Sequence, residues 1–322
     1  MKTDSTTLQA PPRAKTARLR FPPRRPDPVA ITPAPTPAAK SGRRGQTRRR
    51  VLAVVKHVCL ILLVVVALYP VIWMLVSSLR PDGQIFSNPS IIPTTLHWEN
   101  YTYGWTALTK PFSTYLVNSL LVVVAAIAGN LITCSMAAYA FARLKFRFQK
   151  PAFAFMLVTI MIPIHVVIVP QYILWSQLGL VNTFWPLIIP KFCATDAFFT
   201  FLMVQFIRGL PKSLDEAARI DGAGHGQIFF RILLPLMTPA LATTTIFTFI
   251  WTWNDFFAQM IYLTDPKLYT VSIALRAYID AQTSSSYGAM FAMSMVSIIP
   301  VVLIFIFGQK YLVQGIATTG LK

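Results

Sequence analysis

The chain has 322 residues, is 55% hydrophobic and 12% charged, and has a mean hydropathy of +0.56. These values exclude an ordinary soluble domain and fit a polytopic membrane protein. The net charge of +18 does not mark a nucleic-acid-reading face, because 14 of the 29 Lys and Arg lie in residues 1–56, ahead of any apolar run.

In chain order, residues 1–50 come first. They are rich in Pro, Arg, Ala and Thr and too poor in large apolar side chains to bury a core, so they read as a disordered tail. A basic arm beside an anionic leaflet accounts for the charge, with membrane lipid as neighbour and no nucleic acid. Six apolar runs follow, at about 57–79, 114–142, 151–173, 184–206, 236–262 and 289–310. Each is near the ~20 residues that cross ~30 Å of hydrocarbon, and the first is too long for the core of a cleavable signal peptide. Pro170, Pro186 and Pro190 interrupt the third and fourth runs. The domain reading is a tail over 1–50, a first span and outer loop over 51–113, a core over 114–310 with a polar loop at 208–235, and a tail over 311–322.

Orientation follows from the loops. Alternate compartments hold 24 and 4 positive charges, with Lys191 left inside a run. The positive-inside rule then places both termini and the loops at 143–150 and 207–235 in the cytoplasm.

Charges within the runs are costly and therefore informative. Lys191 and Asp196 lie in the fourth. On one continuous helix, residues five apart point about 140° from each other, so no direct pair is expected. Further on, Asn254 and Asp255 sit in "WTWNDFFAQ" with Trp251, Trp253 and Gln259. Aromatic faces beside Asn, Asp and Gln are the chemistry that sugar recognition needs. The competing reading is interfacial aromatics and helix-packing glue.

Between the fourth and fifth runs lies "SLDEAARIDGAGHGQIFFRILLP", Ser213 to Pro235. Ser213 and Glu216 have the spacing of a capping box, and Asp215 and Glu216 suit the positive end of a helix dipole. Gly222 can take the left-handed conformation that ends a helix. The stretch therefore predicts one helix over Leu214–Asp221 and a second after Gly224, with Ile228, Phe229, Ile232 and Leu233 on one flank. Catalytic machinery is not expected. There is no G-x-x-x-x-G-K-[ST] run, no CxxC, no metal-spaced histidine set and no Ser/His/Asp or paired-carboxylate arrangement. Cys59, Cys134 and Cys193 read as packed, inert thiols.

The spacing of Glu216, Ala217, Ala218, Gly222, Ile232, Leu234 and Pro235 resembles the signature loop of permease subunits of type I ATP-binding-cassette importers. "NSLLVVV", "MAAYAFARLKF", "WTWNDFFAQMIYLTDP" and "GQKYLVQGIATTGLK" extend the resemblance, over about 57–322, to the shorter permease of the carbohydrate-uptake branch. The resemblance implies an all-α, six-span permease in a bacterial or archaeal plasma membrane. It implies coupling to an ATPase through Glu216, Ala217, Ala218, Asp221, Gly222, Gly224, Ile232, Leu234 and Pro235. ATP and Mg would sit on that partner, with no cofactor or metal on this chain. Two ATPase copies, a second homologous permease and an extracytoplasmic solute-binding protein complete the expected machine. The final residues would insert between the ATPases. Trp251, Trp253, Asn254, Asp255, Gln259, Lys191 and Asp196 are the candidate solute path, for a di- or oligosaccharide. The alternatives are a glycerophosphodiester or polyol, or an ion-coupled secondary transporter, which would want inverted repeats that the sequence does not display.

Overall fold

A computed structural model describes residues 42–87, 90, 92, 93, 95–279 and 286–319, with 42–48 and 311–319 described as backbone only. Of the expected tail over 1–50, residues 1–41 lie outside these and 42–50 are helical; the last three residues also lie outside. The chain divides into two units, 1–62 and 63–322. In the first, the described residues belong to α1 (Gly42–Ser77), and every side chain from Arg49 to Leu62 is exposed. A spanning helix with apolar residues all round leaves them to lipid. The helix starts well before the expected 57. "RRGQTRRR" holds good helix formers and no proline, so the turn propagates into it.

In the second unit, α2 (Asp82–Ile85) and α3 (Glu99–Thr106) are followed by α4 (Phe112–Arg143). The third run is not one rod. It forms α5 (Gln149–Thr159) and α6 (Ile164–Gln177), turned by 100°. Pro163 lacks an N–H and holds its own backbone extended, at φ −64° and ψ 138°, at the front of α6. The fourth run comprises α7 (Trp185–Ile188), a 3₁₀ turn (Ile189–Cys193) and α8 (Ala197–Gly209). Next come α9 (Ser213–Ile220), α10 (His225–Gln227), a π turn (Ile228–Leu233) and α11 (Leu234–Leu236).

The fifth run is bent as well. The helical stretch His225–Leu236 meets α12 (Thr238–Asn254) at 73°. α12 stops short of the expected 262, because Asp255 is extended and α13 (Phe257–Tyr262) starts anew. α14 (Val271–Ala277) precedes α15 (Tyr287–Thr319), whose backbone stays helical past the expected end at 310. Among the described residues, four stretches are long and apolar enough to cross a bilayer alone, and up to six if each bent pair counts as one.

α4 is the axis of this unit, packing against α8, α12 and the 3₁₀ turn, while α15 packs on α12 and α3. It contains no proline, whereas each of the other five spanning stretches contains at least one. Lipid tails are as apolar as Leu, so close fit holds spanning helices together in place of hydrophobic expulsion. Ser119, Ala126, Ser135 and Ala138 are small residues on the buried side of α4, and Ala138 packs in one core with Phe199 and Met203. Cys134 is buried in the same core, whereas Cys59 and Cys193 are exposed and not packed as expected.

Candidate functional site

Two polar features stand out, a loop at one end of the bundle and a cavity within it. In the loop, α9 starts one residue earlier than a cap at Ser213 requires. Asp215 and Glu216 donate their N–H groups to the carbonyl of Lys212, at 3.0 and 3.1 Å. Ser213 is therefore already helical, and the expected capping box is absent. The far end forms as expected. Gly222 has φ +80°, its N–H reaches Arg219 O at 3.0 Å, and the Ala223 N–H reaches Ala218 O at 2.9 Å. These two bonds make a Schellman motif, which favours a residue without Cβ at Gly222. The next turn is closed by Gln227, whose Oε1 accepts the Gly224 N–H at 3.0 Å.

The helix pair has an inner and an outer side. Ala218, Ile228, Phe229 and Leu233 are buried against the bundle, and Ile232 and Leu234 are half-buried. Glu216, Ala217, Asp221, Gly222, Gly224 and Pro235 are exposed. Of the nine candidate coupling residues, Ala218 therefore faces inward and anchors the loop to its own chain. Ile220, which sequence reasoning passed over, is 87% exposed on the outer side. A bare isoleucine beside exposed carboxylates suits a protein partner better than water.

α4 holds the pair in place. Arg143 Nε lies 2.9 Å from Asp215 Oδ2, with both side chains nearly buried, and Arg143 Nη2 donates to Leu210 O at 2.9 Å. One turn back, the Tyr139 hydroxyl sits 3.3 Å from His225 Nδ1, and its ring lies 5.3 Å from that of Phe229. The sequence gives Asp215 a place at the helix dipole but nothing that joins it to Arg143. A pair separated by 72 positions leaves no local spacing to read.

The cavity, of about 820 Å³, is lined by residues of α6, the α7 segment with its 3₁₀ turn, and α12 and α13. Lys191 and Asp196 form its ion pair, with Nζ 2.8 Å from Oδ2 and 3.1 Å from Oδ1. The expectation of no direct pair fails because the residues do not share one helix. After the 3₁₀ turn, Ala194 takes the left-handed region at φ 53°, and α8 starts anew at Ala197. Asn130 of α4 donates to Asp196 Oδ2 at 2.7 Å and to Thr248 Oγ1 at 3.1 Å, and Thr133 donates to Lys191 O at 3.0 Å. Gly129 lets the turn approach this closely, since a Cβ there would sit 2.9 Å from the Lys191 carbonyl carbon.

Trp251 lines the cavity, half-exposed, backed by the rings of Phe198 and Phe199 at 5.3 and 5.1 Å. Asn254 is exposed on the same wall, its Nδ2 donating to Ile250 O at 2.8 Å. Asp255 also lines it and accepts the Ala258 N–H at 3.2 Å, which starts α13. Gln259 reaches the wall, but its amide is engaged by Thr252 O and the Thr270 hydroxyl. Trp253 does not line the cavity. It is 4% exposed and stacks on Phe249 at 5.5 Å. Two residues along α12 rotate a side chain by about 200°, so Trp251 and Trp253 point to opposite sides. Among the described residues, no three His, Cys, Asp or Glu side chains are grouped to hold a metal ion.

Residues 129–318 match the family described as "Binding-protein-dependent transport system inner membrane component". The diacetylchitobiose uptake system permease protein NgcG of Streptomyces coelicolor is 32% identical over 86% of this chain and 92% of its own length. The arabinooligosaccharides transport system permease protein AraQ of Halalkalibacterium halodurans is 33% identical over 80% of this chain and 92% of its own. A crystal structure of a bacterial ABC transporter involved in the import of the acidic polysaccharide alginate has a similar chain. Its TM-score is 0.71 at 25% identity, covering 81% of this chain and 96% of that one.

Proposed function

The chain belongs to the binding-protein-dependent transport system inner membrane component family, and from that membership we propose that it forms half of the membrane path for a di- or oligosaccharide. Members are ABC-importer permease subunits and not themselves enzymes, working in a membrane with an ATPase and a solute-binding protein. The finer assignments follow from our reading. A second, homologous permease completes the path, and two ATPase copies carrying ATP and Mg dock on the helix-pair loop. That loop and both termini face the cytoplasm of a bacterial or archaeal cell. Closure of the ATPases pulls the loop, and the paired permeases alternate between facing inward and outward.

The observation that carries the solute assignment is the cavity wall. Its volume lies within the ~300–1,000 Å³ of small-molecule sites, and it joins an aromatic face to convergent polar groups. Lys191, the lysine on that wall, is already neutralised by Asp196, which disfavours a phosphate-bearing solute. The relatives named above carry oligosaccharides, and the same solute class suits this wall.

Two substitutions test it. Trp251→Ala removes the stacking face, worth about 1 kcal/mol or roughly fivefold. Trp251→Ala and Asn254→Ala are each expected to lower oligosaccharide uptake and to alter preference across a panel of sugars, measured in cells with the chain's membrane abundance held equal. An unchanged panel in both variants would remove the path assignment. A third substitution tests the close approach at Gly129. Gly129→Val drives a side chain into the Lys191–Phe192 turn, and overpacking of this kind costs about 1–3 kcal/mol. Uptake is expected to fall at least fivefold, with Gly129→Ala milder. Equal uptake by the valine variant would show that the turn moves aside freely.

A further inference from the structure

We propose that α4 carries movement of the docking loop to the solute cavity, with the Arg143–Asp215 pair as the joint at one end and Asn130 as the joint at the other. The proposal rests on the reading of the loop as the ATPase dock and adds the route by which its displacement travels.

The covalent routes out of the loop are hinged. Toward α8 the chain passes through the extended Leu210, at ψ 142°, and Pro211, and α8 itself is parted from the cavity turn by the left-handed Ala194. Toward α12 it passes through the π turn, Pro235 and the 73° bend. A displacement applied at either hinge can be absorbed as rotation. α4 offers a stiffer route. It is an unbroken helix of 32 residues without proline. Kinks in helices are tied to prolines and bulges of the kind its neighbours carry.

Both helices of the docking pair are clamped to the last turns of α4. Arg143 grips α9 through Asp215, and Tyr139, four residues earlier on the same face, meets His225 and Phe229. From Arg143 the helix runs about 20 Å, at 1.5 Å per residue, to Asn130. There its amide holds the carboxylate that neutralises Lys191, while Gly129 and Thr133 hold the backbone of the same turn. A shift of α4 along its axis therefore moves the polar wall of the cavity directly. Spatial continuity is not coupling in itself, so the test must read coupling.

The complete transporter in proteoliposomes, with its binding protein and an oligosaccharide it imports, gives solute molecules imported per ATP hydrolysed. Arg143→Gln is expected to keep its ATPase subunits and continue hydrolysis while this ratio falls at least tenfold. Arg143→Lys, which keeps the charge but not the fork, should lie between it and wild type. Asn130→Ala should lower the ratio in the same way from the other end. A variant that touches neither joint guards against misfolding. Ile132→Gly with Met136→Gly, both exposed, loosens the rod and should lower the ratio at least threefold.

A wild-type ratio in both Arg143→Gln and the double-glycine variant would overturn the proposal. So would loss of the ATPases from Arg143→Gln, since the pair would then shape the dock and not transmit from it. The docking reading fails by a separate sign, retention of the ATPases by a Glu216→Lys, Gly222→Asp variant, and this proposal would fall with it.

Discussion

A Glu216→Lys, Gly222→Asp variant is expected to lose its ATPase subunits in mild detergent while keeping the second permease. Glu216 is exposed on the first turn of α9, and reversing its charge sets like against like wherever a partner has answered it with a cation. Loss of such an interfacial pair costs about 2–5 kcal/mol. Gly222 acts differently, through shape. At φ +80° a residue with a Cβ is strained by up to about 1–2 kcal/mol, aspartate less than most, so aspartate there loosens the Schellman turn and adds a second charge to the outer side of the loop. Together the two changes weaken docking by at least about a hundredfold. A pull-down of tagged chain from native membranes, with stoichiometries read by mass spectrometry, decides the matter. An ATPase retained at wild-type stoichiometry would remove the docking assignment.

The second large effect concerns the intramembrane pair. Asp196→Leu strands the ammonium of Lys191 at bilayer depth, where a lone lysine costs at least ~2.5–3.5 kcal/mol on insertion scales. It also removes an acceptor from Asn130. We expect the single variant to accumulate poorly in the membrane. A Lys191→Met, Asp196→Leu double variant should accumulate close to wild type, because replacing both members of an ion pair by apolar residues is often neutral. It should still import at less than a tenth of the wild-type rate, having lost the polar wall. Immunoblots of membranes run beside uptake assays separate the two effects. Wild-type import by the double variant would reduce the pair to structural glue.

Much of this architecture is legible in the chain. Run lengths place the spanning stretches because hydrocarbon thickness leaves little choice, and the Gly222 turn is readable because glycine advertises a left-handed backbone. Errors arise where local rules meet distant partners. The pairing of Lys191 with Asp196 depends on Ala194 at φ 53°, and alanine gives no notice of that conformation. The helix start at Ser213 fits a capping box by spacing. Asp215, however, is turned inward to Arg143, and the frame of α9 starts at Lys212. Trp251 and Trp253 look alike in a string of letters, and only the rotation of α12 separates a wall residue from a core residue. Asn130 lies inside an apolar run with no local signal around it, and only the carboxylate beside it shows its part.

The proline-free stretch of α4 has one more consequence, for its lipid surroundings. Its 32 residues span about 48 Å, against a hydrocarbon layer of ~30 Å. Neighbouring spans can adjust to a thicker or thinner bilayer by flexing at their prolines. α4 meets the same mismatch by tilting as a whole. Acyl-chain length thus sets the rest angle of this proline-free member of the bundle, and the membrane's thickness becomes a parameter of transport.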